Sequence, residues 1–194
     1  MVRPADRPRA TLVLGHGAGG GTGTPDLLAL GRALPGQGVS VVLVDQPWLV
    51  AGRNVAAPPP QLDLAWLAVV PALAVDGPLL VGGRSAGARV ACRTARDLGA
   101  VGCVALAFPL HPPGRPERSR LPELVGAGVP TLVVQGGNDP FGGPAQFPDG
   151  PALVRPVPFA DHSFRVAKAA PLTQREAVGL VVDHVRSWVA ALLR

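Results

Sequence analysis

The chain has 194 residues, of which 47% are hydrophobic and 16% charged, and its formal net charge is +5 at pH 7. This length and apolar content allow a sizeable core and favour a single domain over residues 1–194. The basic residues are scattered and no Tyr is present to stack on bases, so the composition argues against a nucleic-acid partner despite a pI of about 10.9.

We expect no targeting or membrane segment. The first residues lack the apolar stretch of a signal peptide, and no apolar run approaches the roughly 18 residues of a membrane span. Cys92 and Cys103 lie among apolar neighbours, which is typical of buried structural thiols in a reducing compartment. These features predict a cytoplasmic protein with no membrane partner. A chain rich in Ala, Gly, Pro and Arg but with a single Lys, Lys168, suggests a GC-rich bacterial source.

Six short apolar runs, bounded by Gly, Pro or Asp and rich in β-branched residues, predict buried strands. They cover residues 11–15, 39–45, 78–83, 101–110, 130–135 and 152–158. Segments with helical spacing separate them, at residues 25–34, 61–73 and 86–98, with a short helix near Glu123 and a last helix after Thr173. Strands that alternate with helices predict a mostly parallel sheet of about six strands with helices on both faces. Ligands of such sheets bind beyond the carboxyl ends of the strands.

Capping and helix-terminating residues mark the expected ends of these helices. Thr24 is expected to cap the first helix with Pro25 at its first position, and Gly36 to end it. Gly99 is expected to close the third helix. The last helix opens with a capping box at residues 173–176 and carries one apolar stripe. The stripe consists of Val178, Val181, Val182, Val185, Val189 and Leu192.

A glycine-rich turn follows the first strand. Gly15, Gly17 and Gly20 fit the dinucleotide-binding pattern G-x-G-x-x-G, and Asp45 ends the second strand, where a ribose-binding acid belongs. However, residues 21–24 delay the helix, so its first amide groups would lie too far from a bound pyrophosphate.

The same turn fits two other interpretations. It can be an oxyanion loop, in which the backbone N–H of Ala18, or failing that Gly17, donates to a developing negative charge. It can also be a plain flexible turn, and the segment alone does not decide among the three.

The segment Gly83-Arg84-Ser85-Ala86-Gly87 fits G-x-S-x-G where a predicted strand gives way to a predicted helix, the context of a nucleophile elbow. A strained turn at the serine needs almost no side chain two residues before and after it, and both positions are glycine. The N–H of Ala86, in the first turn of the helix, is then free to donate. Taken alone, the pattern is better explained by a helix N-cap at Ser85.

Two later residues favour the interpretation of Ser85 as a nucleophile. Asp139 lies in a tight turn after the fifth predicted strand, and His162 lies in a loop after the sixth. The chain order Ser85, Asp139, His162 is the nucleophile, acid and histidine order of α/β-hydrolases. Asp161 is a second candidate for the acid, but it does not follow a strand directly.

Together these motifs resemble those of the small, lidless α/β-hydrolases of the dienelactone-hydrolase superfamily, especially the branch with testis-expressed protein thirty and the third subunit of the NSL complex. The resemblance spans nearly the whole chain and rests on residues 15–20, 82–89, 108–114, 135–142 and 161–164. It implies the α/β-hydrolase fold without a cap domain, Ser-His-Asp roles for Ser85, His162 and Asp139, and no particular substrate. The short segment before the first predicted strand implies that the superfamily's leading antiparallel strands are lost.

We therefore predict a serine hydrolase that cleaves an ester or thioester of a small molecule through an acyl-enzyme, without a cofactor or metal. Ala18 and Ala86 are the expected oxyanion donors, and His16, Arg84 and His111 are candidate substrate contacts. The Pro-rich loops at residues 56–60 and 111–122 are expected to line the rim of the site, and the wider loops 46–61 and 111–129 to shape its pocket. The alternative is a retired hydrolase, that is, one that has lost catalytic activity and serves as a binding or interaction module.

Overall fold

The computed structural model describes residues 1–53, 55–73 and 75–194. Its strands are β1 (Val2–Arg3), β2 (Ala10–Gly15), β3 (Val39–Val44), β4 (Leu79–Arg84), β5 (Gly102–Leu106), β6 (Thr131–Gly136) and β7 (Leu153–Val157). Its helices are α1 (Pro25–Ala33), α2 (Pro47–Val50), α3 (Pro59–Val69), α4 (Ala86–Thr94), α5 (Leu121–Val125) and α6 (Gln174–Leu192).

The strands form one sheet in the order β1-β3-β2-β4-β5-β6-β7. Strands β2 to β7 pair in parallel, and β1 pairs antiparallel with β3 through Val2–Val42 and Arg3–Val41. Over the described residues the sheet therefore has seven strands rather than about six, and one leading antiparallel strand is kept where we predicted its loss. A two-residue exposed strand carries no apolar periodicity, so the sequence pattern could not reveal it.

Five of the six predicted strands match the structure to within one residue at each end. The exception is 101–110, whose strand ends at Leu106 because Ala107, with φ 45°, turns the chain out of the sheet. Phe108 and Leu110, in the loop after β5, are buried in the hydrophobic core, which explains why the apolar run continues past the strand.

Helices cover both faces of the sheet. One core contains side chains of α1 and α6, and the other contains side chains of α2, α3, α4 and α5. Helix α6 buries Val181, Val185 and Val189 of its predicted stripe together with Ala177, while Val178 is only partly buried. Its capping box is confirmed, since the side chains of Thr173 and Glu176 each accept from the other's backbone N–H.

Several helix ends differ from prediction. Thr24 precedes α1 but makes no side-chain cap, and Gly38, with φ 78°, ends the segment instead of Gly36, because a 3₁₀ turn at Pro35–Gln37 extends it. Helix α4 stops at Thr94, and irregular turns continue to Gly99. The four-residue helix α2 was not predicted, because one helical turn is too short for periodicity to show.

Across the described ranges, no helix has the length and hydropathy that a membrane-spanning segment needs. Cys92 and Cys103 are fully buried, as predicted, with their sulfurs 3.8 Å apart. A hydrogen bond with Cys103, together with burial, raises the pKa of Cys92 well above its ordinary value, so this thiol stays neutral.

Charged side chains join α3, α4 and α5. Arg89 donates to Glu123, with Nε–Oε2 at 2.8 Å, and Arg93 bridges Glu123 and Asp63, with Nη1–Oε2 at 2.6 Å and Nε–Oδ2 at 2.8 Å. Burial raises the pKa of Glu123, but the hydrogen bonds and charges of Arg89 and Arg93 outweigh it and hold that pKa below its ordinary value. The ionised carboxylate therefore stabilises the folded state.

Glu123→Gln is expected to lower the free energy of unfolding by about 1 to 3 kcal/mol at pH 7, since charge-assisted hydrogen bonds are lost. The folded pKa lies below the unfolded value of about 4.3, so the stabilisation is present above that pH and is lost as pH falls through the folded pKa. Urea denaturation of the wild-type and Glu123→Gln proteins between about pH 7 and pH 3 should therefore show that the difference between their free energies of unfolding shrinks in acid. A difference that stays constant across this range would contradict the account.

Candidate active site

Ser85 is the single residue between β4 and α4. Its backbone has φ 51° and ψ −109°, a conformation that costs a non-glycine residue free energy. Hydrogen bonds hold it there, because Ser85 N–H donates to the carbonyl of Leu106 at 2.9 Å and Arg89 N–H donates to the carbonyl of Ser85 at 3.1 Å. The turn projects the serine side chain from the carboxyl edge of the sheet.

Glycines make this turn possible. A Cβ atom at Gly83 would lie 2.6 Å from the carbonyl oxygen of Gly15, and one at Gly87 would collide with the same oxygen. At Gly17, a Cβ would lie 3.0 Å from that of Ser85. The backbones of β2 and of the turn therefore meet at a distance that only glycine allows, as the G-x-S-x-G pattern predicts.

The structure brings Ser85, His162 and Asp139 into one hydrogen-bonded chain. His162 Nε2 lies 2.9 Å from Ser85 Oγ, and His162 Nδ1 lies 2.8 Å from Asp139 Oδ2. A carboxylate can only accept, so Nδ1 carries the proton and Nε2 is free to accept the serine hydroxyl proton. This is the arrangement by which a serine is activated for acyl transfer.

Asp139 is buried and held by two donors that we did not predict. Its Oδ1 accepts from the N–H of Phe141 at 2.8 Å, and its Oδ2 accepts from Gln135 Nε2 at 2.8 Å. The Phe141 ring also packs on the His162 imidazole, with centroids 4.2 Å apart. Gln135 was detectable as the one polar side chain in the second half of an apolar strand, but nothing in the sequence singles out Phe141.

Asp161, the second candidate for the acid, serves the loop instead. Its Oδ1 accepts from the N–H groups of Ser163 at 2.7 Å and Arg165 at 2.9 Å. Of the two aspartates, it is Asp139 that contacts the imidazole of His162.

Ala18 and Ala86, the two predicted oxyanion donors, both lie near Ser85. Ala86 begins α4 directly after Ser85, and Ala18 lines the same cavity as Ser85. Neither N–H donates to a backbone carbonyl within the described ranges, so both are available to a ligand.

The glycine-rich turn does not lead straight into α1. A 3₁₀ turn at Gly21–Gly23 intervenes, and Thr22 Oγ1 donates to Asp45 Oδ1 at 2.9 Å. Asp45 is therefore tied to the turn itself. The turn therefore does not bring the first amide groups of α1 to the place where a dinucleotide's pyrophosphate would bind, because the additional 3₁₀ turn lies between them.

A cavity of about 490 Å³ opens beside Ser85. Its walls come from the turn after β2, the start of α1, the serine turn and the loop that carries His162. Contrary to our expectation, the Pro-rich loops 56–60 and 111–122 do not contribute to these walls, nor do the wider loops 46–61 and 111–129; Asn54, in loop 46–61, lies outside the described residues. Arg84 and Arg165 line the cavity together with Asp26. Among the described residues, no group of three or more His, Cys, Asp or Glu is placed to hold a metal ion.

Two of the three candidate substrate contacts lie elsewhere. His16 is fully buried, and its ring is used on both sides, since Nε2 accepts from Gln46 N–H at 2.8 Å and Nδ1 lies 2.8 Å from the Gly17 carbonyl oxygen. His111 is also buried, with Nδ1 2.9 Å from the Pro112 carbonyl oxygen. Both imidazoles shape loops and neither lines the cavity, so of the three candidates only Arg84 lies at the cavity within the described residues.

The model of the alpha/beta hydrolase domain family matches residues 8–190 of the chain. No curated protein matches the sequence. Similar solved structures include Est1E from Butyrivibrio proteoclasticus, with 14% identity and a TM-score of 0.71 over 99% of this chain and 93% of that one.

Two further structures carry the same architecture. The dienelactone hydrolase from Anabaena variabilis has 19% identity and a TM-score of 0.71 over 100% of this chain and 91% of its own. XC6422 from Xanthomonas campestris, described as an a/b serine hydrolase without lid, has 19% identity and a TM-score of 0.63 over 96% of this chain and 87% of its own. At these identities the likeness shows the fold, and this chain likewise has no separate cap domain in its described part.

Gly87→Ala is expected to lower the free energy of unfolding by about 1 to 3 kcal/mol, because the added methyl group meets a backbone carbonyl that cannot rotate away. Gly179→Ala is the matched control, since a Cβ there meets nothing within 4 Å inside α6. It should raise stability by about 0.5 to 1 kcal/mol through helix propensity. Urea denaturation measures both, and a Gly87→Ala protein as stable as the wild type would contradict the close approach described for this turn.

Proposed function

The chain belongs to the alpha/beta hydrolase domain family, and we propose that it is a serine hydrolase that cleaves an ester or thioester of a small molecule. The observation that carries the proposal is the continuous hydrogen-bond chain from Ser85 through His162 to Asp139 at a strained turn. Ser85 is the nucleophile, His162 the base and then the acid, and Asp139 the group that orients the imidazole.

In the first half-reaction, the Ser85 hydroxyl proton moves to His162 Nε2 while Oγ attacks the substrate carbonyl carbon. The tetrahedral intermediate then expels the alcohol or thiol, which takes the proton from His162, and the acyl group stays on Oγ. In the second half-reaction, His162 removes a proton from water, the hydroxide attacks the acyl carbon, and the proton returns to Ser85 as the acid leaves. Asp139 stays ionised throughout and stabilises the imidazolium.

The negative charge on the carbonyl oxygen is stabilised by backbone donors. We assign this role to the N–H of Ala86, which begins α4 directly after Ser85, and to the N–H of Ala18, which lines the cavity. Each such donor contributes on the order of 10² to 10³ in rate. Nucleophile, base and oxyanion donors all come from this chain, so the proposed mechanism needs neither a cofactor nor a metal ion.

The cavity beside Ser85 suits a small acyl substrate. Its volume of about 490 Å³ lies within the range of small-molecule sites, and no cap covers it in the part of the chain that the structure describes. We propose carboxylesterase or thioesterase chemistry for it. Residues 15–20, 82–89, 108–114, 135–142 and 161–164 support the branch of testis-expressed protein thirty and the third subunit of the NSL complex. The composition supports a bacterial source, and the apolar neighbours of Cys92 and Cys103 support a reducing compartment, the cytoplasm.

A fluorophosphonate probe tests the nucleophile. The wild-type protein is expected to be labelled and Ser85→Ala is not, because the probe phosphonylates only an activated serine. Hydrolysis of short-chain nitrophenyl esters should fall by at least about 10³-fold in the same variant. A folded wild-type protein that stays unlabelled from about pH 6 to 9 would instead identify a retired hydrolase that acts as a binding module.

Asp139→Asn and Asp161→Asn together test which of the two aspartates orients the imidazole of His162. Asp139→Asn should lower kcat by about 10⁴-fold, because the amide no longer fixes the imidazole tautomer. Asp161→Asn is the matched control, since it keeps an oxygen that can accept from Ser163 and Arg165, and it should lose less than about tenfold. Steady-state ester hydrolysis measures both, and a larger loss in Asp161→Asn would reverse the assignment.

A further inference from the structure

Arg84, the residue before Ser85, keeps its charged side chain in the interior. The side chain is only 8% exposed, and the carboxylate of Asp26, 3% exposed, lies beside it with Asp26 Oδ2 3.4 Å from Arg84 Nε. A buried charge is costly unless an opposite charge accompanies it. Neither residue belongs to the Ser85–His162–Asp139 chain, so the pair needs an explanation of its own.

The guanidinium also reaches the loop that carries the histidine. Arg84 Nη2 donates to the carbonyl oxygen of His162 at 3.1 Å. Among the described residues, this is the one hydrogen bond that the backbone of His162 forms. The other backbone hydrogen bonds of the loop belong to neighbouring residues. Arg84 therefore links the serine turn to the histidine directly.

The His162 loop depends on such restraints. It runs from the end of β7 at Val157 to the start of α6 at Gln174 without a helix or strand. Phe159 and Phe164, on either side of the histidine, have φ values of 63° and 52°, which non-glycine residues adopt only when surrounding contacts hold them. The imidazole must nevertheless keep both of its hydrogen bonds, to Ser85 and to Asp139.

We propose that Arg84 is a positioning residue for His162: its hydrogen bond to the His162 carbonyl keeps the imidazole between Ser85 and Asp139, and Asp26 holds Arg84 in that orientation. This role rests on the proposed hydrolase function and deepens it. Arg84 acts through His162 and takes no part in binding the acyl substrate, although it lines the cavity.

Two esters separate positioning from substrate recognition. With Arg84→Met, kcat should fall about 10- to 100-fold for neutral p-nitrophenyl butyrate and equally for the anionic mono-p-nitrophenyl ester of succinate, because the imidazole is misplaced for both. KM should change by less than about twofold for either ester. Labelling by the fluorophosphonate probe should slow in parallel, since it uses the same activated serine. Arg84→Lys should recover part of kcat, because an ammonium can still donate to the carbonyl beside Asp26.

Arg89→Met is the matched control. Arg89 lies five residues further along and also forms an ion pair, but within the described ranges the hydrogen bonds of its side chain go to Glu123 and none goes to the histidine loop. Loss of the Arg89–Glu123 ion pair should lower the melting temperature and leave kcat and KM unchanged for both esters. The comparison separates loss of a structural ion pair from loss of the bond to His162.

Four outcomes would overturn the role of Arg84. A folded Arg84→Met protein with wild-type kcat for both esters would make the pair purely structural, and a loss confined to KM for the succinate ester would make Arg84 a substrate-anion site. If Arg84→Met does not fold, Asp26→Asn decides, since kcat should fall by at least about threefold for both esters and a wild-type kcat would refute the proposal. A wild-type protein that is inactive on both esters and unlabelled would instead refute the hydrolase function, and this role with it.

Discussion

The strained backbone of Ser85 is the constraint on which the site depends. A residue with φ 51° between a parallel strand and a helix persists only because its surroundings fix it, and here they are mainly backbone. The carbonyl of Gly15 packs against Gly83 and Gly87, so β2, the serine turn and the start of α4 form one tight junction. Since β2 and β4 are neighbours in the sheet, that junction also places the glycine-rich turn, with the N–H of Ala18, next to the serine.

The rest of the site follows from sheet topology. In a parallel sheet the carboxyl ends of the strands meet at one edge, so the loops after β6 and β7 bring Asp139 and His162 to the edge where β4 presents Ser85. Buried polar side chains then fix the geometry, with Gln135 holding the carboxylate and Arg84 holding the carbonyl of His162. The two arginines near the serine have different surroundings, because Arg84 ends a strand and pairs with α1, whereas Arg89 lies on α4 and pairs with Glu123 of α5.

Features set by local chemistry could be predicted from the sequence, and features set by long-range packing could not. Apolar runs and glycine positions located the parallel strands and the serine turn, and chain order identified the residues that the structure brings together. The burial of His16 was not predictable, because it depends on Gln46, thirty residues away, donating to its ring. Likewise, a pattern of residues cannot show that Phe141 packs on the histidine or that Arg84 reaches across to it. The position of the cavity depends on loop conformations in the same way.

In the proposed reaction, Ser85 attacks a carbonyl whose oxygen then faces the N–H groups of Ala18 and Ala86. A crystal structure of the protein after reaction with an alkyl phosphonate tests it directly, because the phosphonyl group mimics the tetrahedral intermediate. We expect phosphorus bonded to Ser85 Oγ and a phosphonyl oxygen about 2.7 to 3.1 Å from both nitrogens, with His162 still hydrogen-bonded to Asp139. Phosphorus on another residue, or an oxygen turned away from both N–H groups, would contradict it.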